Sequence, residues 1–295
     1  MSDEIMKLRM AADNPTVSAK WIEREQAIAN REREFGLEQS LGKFRVGSVK
    51  ALNAVPLTRG IESEVVYEVP AKLAQMLQRD ELDAALVSVV EALFHDRYDI
   101  LDGIAVASLG EVKSVFLAHR KPLEQVKEVF CDPASLTSVT LLKVLLAERG
   151  LKPDFKPLED YAAAKDKDFV LLIGDSALDF LFANEAQPTH EIFDLGAEWT
   201  ELTRLPFVYA VWAMRRDVHT PELRRQLREA WDFGLDTLDH IISNRTEYTL
   251  EFRKDYLGWH IHYHLAEDEK RGIAKFIELL RKHGFDPVFE PKFIF

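Results

Sequence analysis

Val46-Gly47-Ser48-Val49-Lys50-Ala51-Leu52-Asn53-Ala54-Val55-Pro56-Leu57 is the stretch on which the fold turns. A short apolar strand over 44–49 runs into a turn carrying Ser48 and Asn53. Pro56 then sits in the first turn of a helix, where its missing N–H costs nothing. A strand feeding a helix in this way leaves free N–H groups and a positive dipole end at the carboxyl end of the strand. That is a candidate site for a carboxylate or phosphate. The plain alternative is that Ser and Asn here only cap the helix.

The same arrangement returns along the chain. Apolar runs of strand length occupy 65–69, 84–90, 104–108, 114–118, 127–131, 169–173, 192–195 and 207–214. Helical spacing of apolar residues marks 70–79, 136–149, 178–183, 223–244 and 270–283. Gly150 and Gly284 close two of these helices. Strands alternating with helices predict parallel-rich α/β sheets. Two more turns carry small polar residues: Ser135, Thr137 and Ser138 follow the run ending at Cys131, and Asp175 and Ser176 follow the run ending at Ile173.

Residues 1–43 differ in character, being rich in Glu, Arg, Gln and Ala. Trp21, Ile28 and Phe35 fall seven apart, one thin apolar stripe on a helix. The plain expectation is a solvated helix lying on the body of the protein. A dimerisation helix, and so a homodimer, is the alternative; the stripe is too short to read as a coiled coil.

The 295 residues are 47% hydrophobic and 30% charged, which allows a sizeable core without staples. With 38 basic and 50 acidic side chains the net charge is −12. So acidic a chain is poorly suited to nucleic acid or to an anionic membrane surface. The single cysteine, Cys131, excludes an internal disulfide and reads as a buried structural thiol. No apolar stretch reaches the ~20 residues needed to cross a bilayer. Met1-Ser2-Asp3-Glu4 opens acidic with no apolar signal core, which predicts a cytoplasmic protein.

Some features carry no chemistry on this reading. His260, His262 and His264 alternate and would share one strand face, an arrangement able to hold a metal. They read instead as surface histidines leading into the last helix, so no metal is expected. Trp199, Phe207, Tyr209 and Trp212 read as core, with Trp199 able to wall a cleft. No dinucleotide fingerprint and no phosphate-binding loop is present.

Taken in order, several motifs resemble the chorismate dehydratases of menaquinone biosynthesis by the futalosine route. The similarity begins with Arg45–Val49 and Leu52-Asn53-Ala54-Val55-Pro56-Leu57. It continues through Leu86-Val87-Ser88, Gly110-Glu111-Val112-Lys113-Ser114-Val115 and Ser135-Leu136-Thr137-Ser138-Val139. It includes Leu172-Ile173-Gly174-Asp175-Ser176-Ala177-Leu178 and Asp194-Leu195-Gly196-Ala197-Glu198-Trp199, and ends with Leu205-Pro206-Phe207-Val208-Tyr209-Ala210-Val211-Trp212. Together these span about 44–283.

The resemblance implies an α/β, two-lobed type II periplasmic-binding-protein-like fold with an extra N-terminal helical segment over 1–43. Lobe 1 would be 44–125 plus 206–295, and lobe 2 would be 126–205. The implied activity is that of a carbon–oxygen lyase, a hydro-lyase, turning chorismate into 3-[(1-carboxyvinyl)oxy]benzoate with no metal or organic cofactor. Asn53 and Ser114 would face the reacting edge of the ring as catalytic residues. Ser48, Ser88, Ser135, Thr137, Ser138 and Asp175 would bind substrate, with Thr137 and Ser138 taking a carboxylate at a helix start. Asp175 is read equally well as a helix cap.

Three positions depart from the resembled pattern. Leu136 stands where the family often has Arg, Glu111 where it usually has Pro, and Arg204 where it usually has Gly. Leu136 removes a carboxylate partner, which Arg204 would have to replace from another loop. Glu111 places an acid near Ser114, unfavourable for an anionic ligand. These departures keep open a second reading: a binding protein or sensor that holds a small carboxylate in the same cleft without chemistry.

Overall fold

The computed structural model describes residues 44–132 and 135–295. The expectations for 1–43, a helix and a homodimer contact, lie outside the described residues, as do Pro133 and Ala134.

In chain order the strands are β1 (Val46–Ser48), β2 (Val65–Tyr67), β3 (Ala84–Ser88), β4 (Tyr98–Ser108), β5 (Val115–His119), β6 (Glu128–Cys131), β7 (Asp154–Pro157), β8 (Phe169–Ile173), β9 (Glu191–Asp194), β10 (Phe207–Arg215), β11 (His262–Leu265) and β12 (Phe293–Ile294). The helices are α1 (Pro70–Gln78), α2 (Val89–Phe94), α3 (Leu136–Glu148), α4 (Gly174–Ala186), α5 (Leu195–Thr203), α6 (Pro221–Asp236), α7 (Leu238–Asn244), α8 (Leu250–Asp255) and α9 (Glu267–Lys282).

Two sheets result. The first has the order β11-β4-β10-β3-β1-β2, with β12 beside β4; the second has the order β7-β6-β8-β5-β9. Among the described residues, parallel pairing is confined to β1–β2, β1–β3, β6–β7, β6–β8 and the short β12–β4 pair. Pairs involving β5 or β10, and the β11–β4 pair, are antiparallel. The sheets are therefore mixed rather than parallel-rich. Strands linked by a local crossover run parallel, while a strand that enters a sheet from elsewhere in the chain is free of that constraint.

β5 corrects the expected lobe boundary at 125. It pairs with β8 and β9, so the chain has left the first sheet before residue 115 and crosses over 109–114. It returns between α5 and β10. The expected strand over 84–90 also divides. Ala84 to Val87 are buried, and Val89 and Val90 are buried too, but these last two belong to α2. An apolar run buried on all sides does not reveal where strand gives way to helix.

The turn after β1 is a 3-10 helix over Leu52–Thr58, with Pro56 inside it rather than at its start. α6 packs against it so closely that a Cβ at Gly234 would lie 1.8 Å from the Pro56 carbonyl oxygen. The helix expected over 223–244 breaks at Thr237, whose hydroxyl donates to the Phe233 carbonyl at 2.6 Å. Trp199 is wholly buried against Phe207 and Phe276 and donates to the Pro206 carbonyl at 3.1 Å, so it belongs to the core and not to a cleft wall. Cys131 is buried, and burial raises its thiol pKa, as expected of a structural thiol. No described helix is long and apolar enough to cross a membrane.

Candidate active site between the two sheets

Asn53 is the second residue of the 3-10 helix that follows β1. Its Nδ2 donates to the Tyr256 hydroxyl at 3.2 Å, and that hydroxyl donates to Ser114 Oγ at 2.8 Å. The two residues expected to act on the substrate are thus joined by a third. Tyr256 opens a π-helical turn, Tyr256–His260, after α8. It is 1% exposed. Burial raises its phenol pKa, against the opposing hydrogen bonds of Ser114 and Asn53, so it is a neutral phenol at neutral pH.

Ser114 is held from all sides. Its carbonyl accepts from Gly174 N at 2.8 Å, at the start of α4. The two residues before it are fixed by Asp194, the N-cap of α5. That buried carboxylate accepts from Val112 N at 3.0 Å, Lys113 N at 2.8 Å, Gly196 N at 2.9 Å and Ala197 N at 3.0 Å. Burial raises the Asp194 carboxyl pKa, and the N–H groups of Ala197, Val112 and Lys113 oppose that shift. Lys113 adopts a left-handed backbone, φ 62°, and so turns the chain into β5. Gly196 packs against the crossing: a Cβ there would lie 2.5 Å from the Gly110 carbonyl oxygen.

The segment before Tyr256 is tied to the same crossing. Lys113 Nζ meets Asp255 Oδ2 at 2.9 Å, and His260 Nε2 lies 3.2 Å from the same oxygen. His260 Nδ1 donates to the Glu111 carbonyl at 2.7 Å. Glu111 itself is exposed, and its charge helps to raise Asp194. His260 therefore leaves the alternating histidine set: it lies in the π turn, while His262 and His264 lie on β11.

Asp175 does not cap its own helix; the N-cap of α4 is Ile173. Its carboxylate instead accepts from the backbone N–H of Leu52, next to Asn53. Desolvation raises its pKa, and Asp179 and Glu247 add to that, although the residue as a whole is exposed. A second link joins the sheets. Ser88, at the end of β3, hydrogen-bonds the Thr137 hydroxyl of α3, which donates to the Tyr209 carbonyl of β10 at 3.2 Å. Ser88 and Thr137 thus satisfy one another. The Tyr209 phenol bonds Ser108 Oγ at 2.9 Å, is raised mainly by burial, and also feels Tyr256.

Ser135 and Ser138 are buried at the start of α3. Ser135 Oγ has no hydrogen-bond partner among the described residues. Leu136, the first residue of α3, packs against the core, so this helix start carries no cation of its own. Arg204 is exposed at the end of α5 with φ 60°, the left-handed conformation that suits glycine. Ser48 is fully buried, and its nearest hydrogen-bonding atom is the Val49 carbonyl at 3.5 Å, too long to bind it firmly. The structure does not join Ser48 to the other predicted residues. A cavity of about 330 Å³ lies to one side, lined by Lys50, Arg59, Tyr67, His240 and Arg245 among others, and none of the predicted residues lines it.

Nothing in the periodicity marks Tyr256, Asp194 or Asp255. Only Asp194 carries a local signal, as an acid just before a helix.

The family model for menaquinone biosynthesis matches residues 44–282. The chorismate dehydratase of Thermus thermophilus is 35% identical over 270 residues, covering 84% of this chain and 99% of its own length. Among solved structures, a protein of Archaeoglobus fulgidus is similar with a TM-score of 0.65 at 20% identity, covering 82% of this chain and 97% of its own. The alkanesulfonate-binding protein SsuA of Xanthomonas axonopodis pv. citri is similar with a TM-score of 0.56 at 14% identity, covering 84% of this chain and 95% of its own. Both likenesses bear on the fold, which is α/β and periplasmic-binding-protein-like. By the extent of the family match and the identity to its relative, the chain belongs to the menaquinone-biosynthesis family.

Proposed function

We propose that this protein is a chorismate dehydratase, a hydro-lyase that removes water from chorismate to give 3-[(1-carboxyvinyl)oxy]benzoate. The observation that carries the proposal is the Asn53–Tyr256–Ser114 array, a neutral set of hydrogen-bonding groups on the joint between the two sheets. Such a set is a poor general base: an amide cannot take a proton, and the buried phenol is held in its neutral form. It suits a reaction whose driving force is built into the substrate. Loss of the C3 hydrogen and the C4 hydroxyl makes the ring aromatic, so the protein supplies orientation and desolvation.

Atoms and charge balance within the substrate. A substrate carboxylate takes the C3 proton, the C3–H pair becomes ring π density, and the C4 oxygen leaves as water with that proton. With Nδ2 on Tyr256, Asn53 Oδ1 is the atom that accepts from the C4 hydroxyl. The Ser114 hydroxyl, accepting from Tyr256, donates a hydrogen bond to the departing oxygen and keeps its own proton, so the water formed carries only the C3 proton delivered by the substrate carboxyl group. Ser135 and Ser138, with the first N–H groups of α3, take a carboxylate of the substrate, favoured by the helix dipole, while the Thr137 hydroxyl stays bonded to Ser88 and the Tyr209 carbonyl. Leu136 makes this a carboxylate site without an arginine. A cytoplasmic setting fits the single, unpaired cysteine.

Purified protein mixed with chorismate tests the proposal, with the aromatic enol ether followed by ultraviolet absorbance and mass. Asn53→Ala should lower turnover at least about 10²-fold, the usual scale for a lost transition-state hydrogen bond, with the melting temperature kept. Full activity in that variant removes Asn53 from the mechanism. Stabilisation by chorismate that stays chemically unchanged assigns a binding protein instead, and no response to chorismate overturns the substrate.

A further inference from the structure

We propose a divalent-metal site, suited to a borderline ion such as Zn²⁺, formed by His262, His264 and Glu269 where β11 meets α9. One ligand atom from each of these residues lies within 4.8 Å of the others. His264 Nε2 and Glu269 Oε1 are already 3.7 Å apart. Ligands on a tetrahedral zinc at its usual bond lengths stand about 3.4 Å apart. The widest pair therefore has to close by at most about 1.4 Å.

Each part of the set has a reason to be where it is. His262 and His264 are two apart on a strand, so both rings leave the same face; they stack 5.4 Å apart at 14°. Glu269 Oε2 accepts from Ala266 N at 2.9 Å, which fixes the carboxylate and leaves Oε1 toward the histidines. Glu269 is 4% exposed, a buried acid whose charge a cation would neutralise.

Two imidazoles and a carboxylate are a donor set that zinc accepts, with water completing four-coordination. None of the three belongs to the Asn53–Tyr256–Ser114 array. The ion would staple β11 to the first turn of α9, directly after the π turn that presents Tyr256. Residues 1–43 contain no histidine or cysteine and so add no competing imidazole or thiolate ligand.

The test uses the full chain, stripped with chelator and titrated with Zn²⁺ by calorimetry, with Co²⁺ as a spectroscopic probe. The expected result is about one tight equivalent per chain and cobalt d–d bands of nitrogen and oxygen ligation without thiolate charge transfer. Saturating Zn²⁺ should raise the melting temperature by several degrees, since at ~100-fold over Kd a ligand that binds only the native state stabilises it appreciably. His264→Ala, at an exposed position, should fold normally and lose at least about tenfold in affinity. Glu269→Gln keeps the cap on Ala266 and should lose a similar factor. A wild-type chain that takes up no zinc overturns the site, as does affinity unchanged in both variants.

Discussion

Two turns that lead into elements of the second lobe carry predicted site residues, and they are built on opposite terms. At Ser114, the chain entering β5 is pinned by Asp194, Gly174, Lys113 and Tyr256. At Ser135, the chain entering α3 has a buried hydroxyl with no partner among the described residues, and no cation at Leu136. Buried polar groups are seldom left unpaired, so an orphan at a helix start asks for a ligand. A group whose bonds are all made within the protein can set geometry, and one whose bond is missing can receive. The first turn is thus suited to orient the reacting edge, and the second to take a carboxylate.

The strongest way to break this contrast is at Tyr256. Tyr256→Phe keeps the ring and its stacking on Phe252, 5.5 Å away, and removes only the hydroxyl that joins Asn53 to Ser114. Turnover should fall by about 10²-fold, as for other lost positioned donors. KM should change little. Stability should fall by about 1–3 kcal/mol, because the half-buried Asn53 amide and the buried Ser114 hydroxyl lose their partner. Steady-state kinetics and thermal unfolding read both. Full turnover would mean the array is only scaffolding.

Ser135→Ala should do the reverse. The variant removes an orphaned hydroxyl, so the melting temperature should stay level or rise. KM should rise by about tenfold, the scale of a single hydrogen bond to a charged group, with kcat less affected. A fall in stability like that of Tyr256→Phe would show that Ser135 already has a partner within the protein, and the contrast would collapse.

How far the two turns were legible in the sequence follows from the range of the contacts. Ser135, Thr137 and Ser138 sit within four residues of one another at a helix start, so pattern alone brings them together. Asn53 and Asp175 were legible as polar residues in strand-to-helix turns, but not the bond that ties the Asp175 carboxylate to Leu52. Tyr256 was not legible. It stands in a π turn with no periodic signature, and its partners lie 203 and 142 residues away. The same holds for the lobe boundary: β5 reads as a strand, but only its pairing with β8 and β9 assigns it to the second sheet. Ser88 and Thr137 were expected to face substrate, and their bond to each other appears only when the two sheets meet.

The smallest expected effect concerns the ion pair that fastens the Tyr256 segment to the Ser114 turn. Burial alone would raise the Asp255 carboxyl, but the Lys113 hydrogen bond, the Lys113 charge and His260 outweigh it and hold the folded pKa below the usual value. A lowered folded pKa means that the pair's contribution is complete above the unfolded carboxyl pKa of about 4, and disappears as pH falls through the lower folded value. Lys113→Met keeps the residue's left-handed backbone position and removes only the cation. The wild type should therefore melt slightly above the variant at neutral pH, and the two curves should converge as the pH falls below about 4. With the Asp255 side chain 43% exposed, salt should shrink the neutral-pH difference. A gap that persists in acid would assign the stabilisation to packing of the lysine stem, leaving Asp194 and Tyr256 as the groups that hold the Ser114 turn in place.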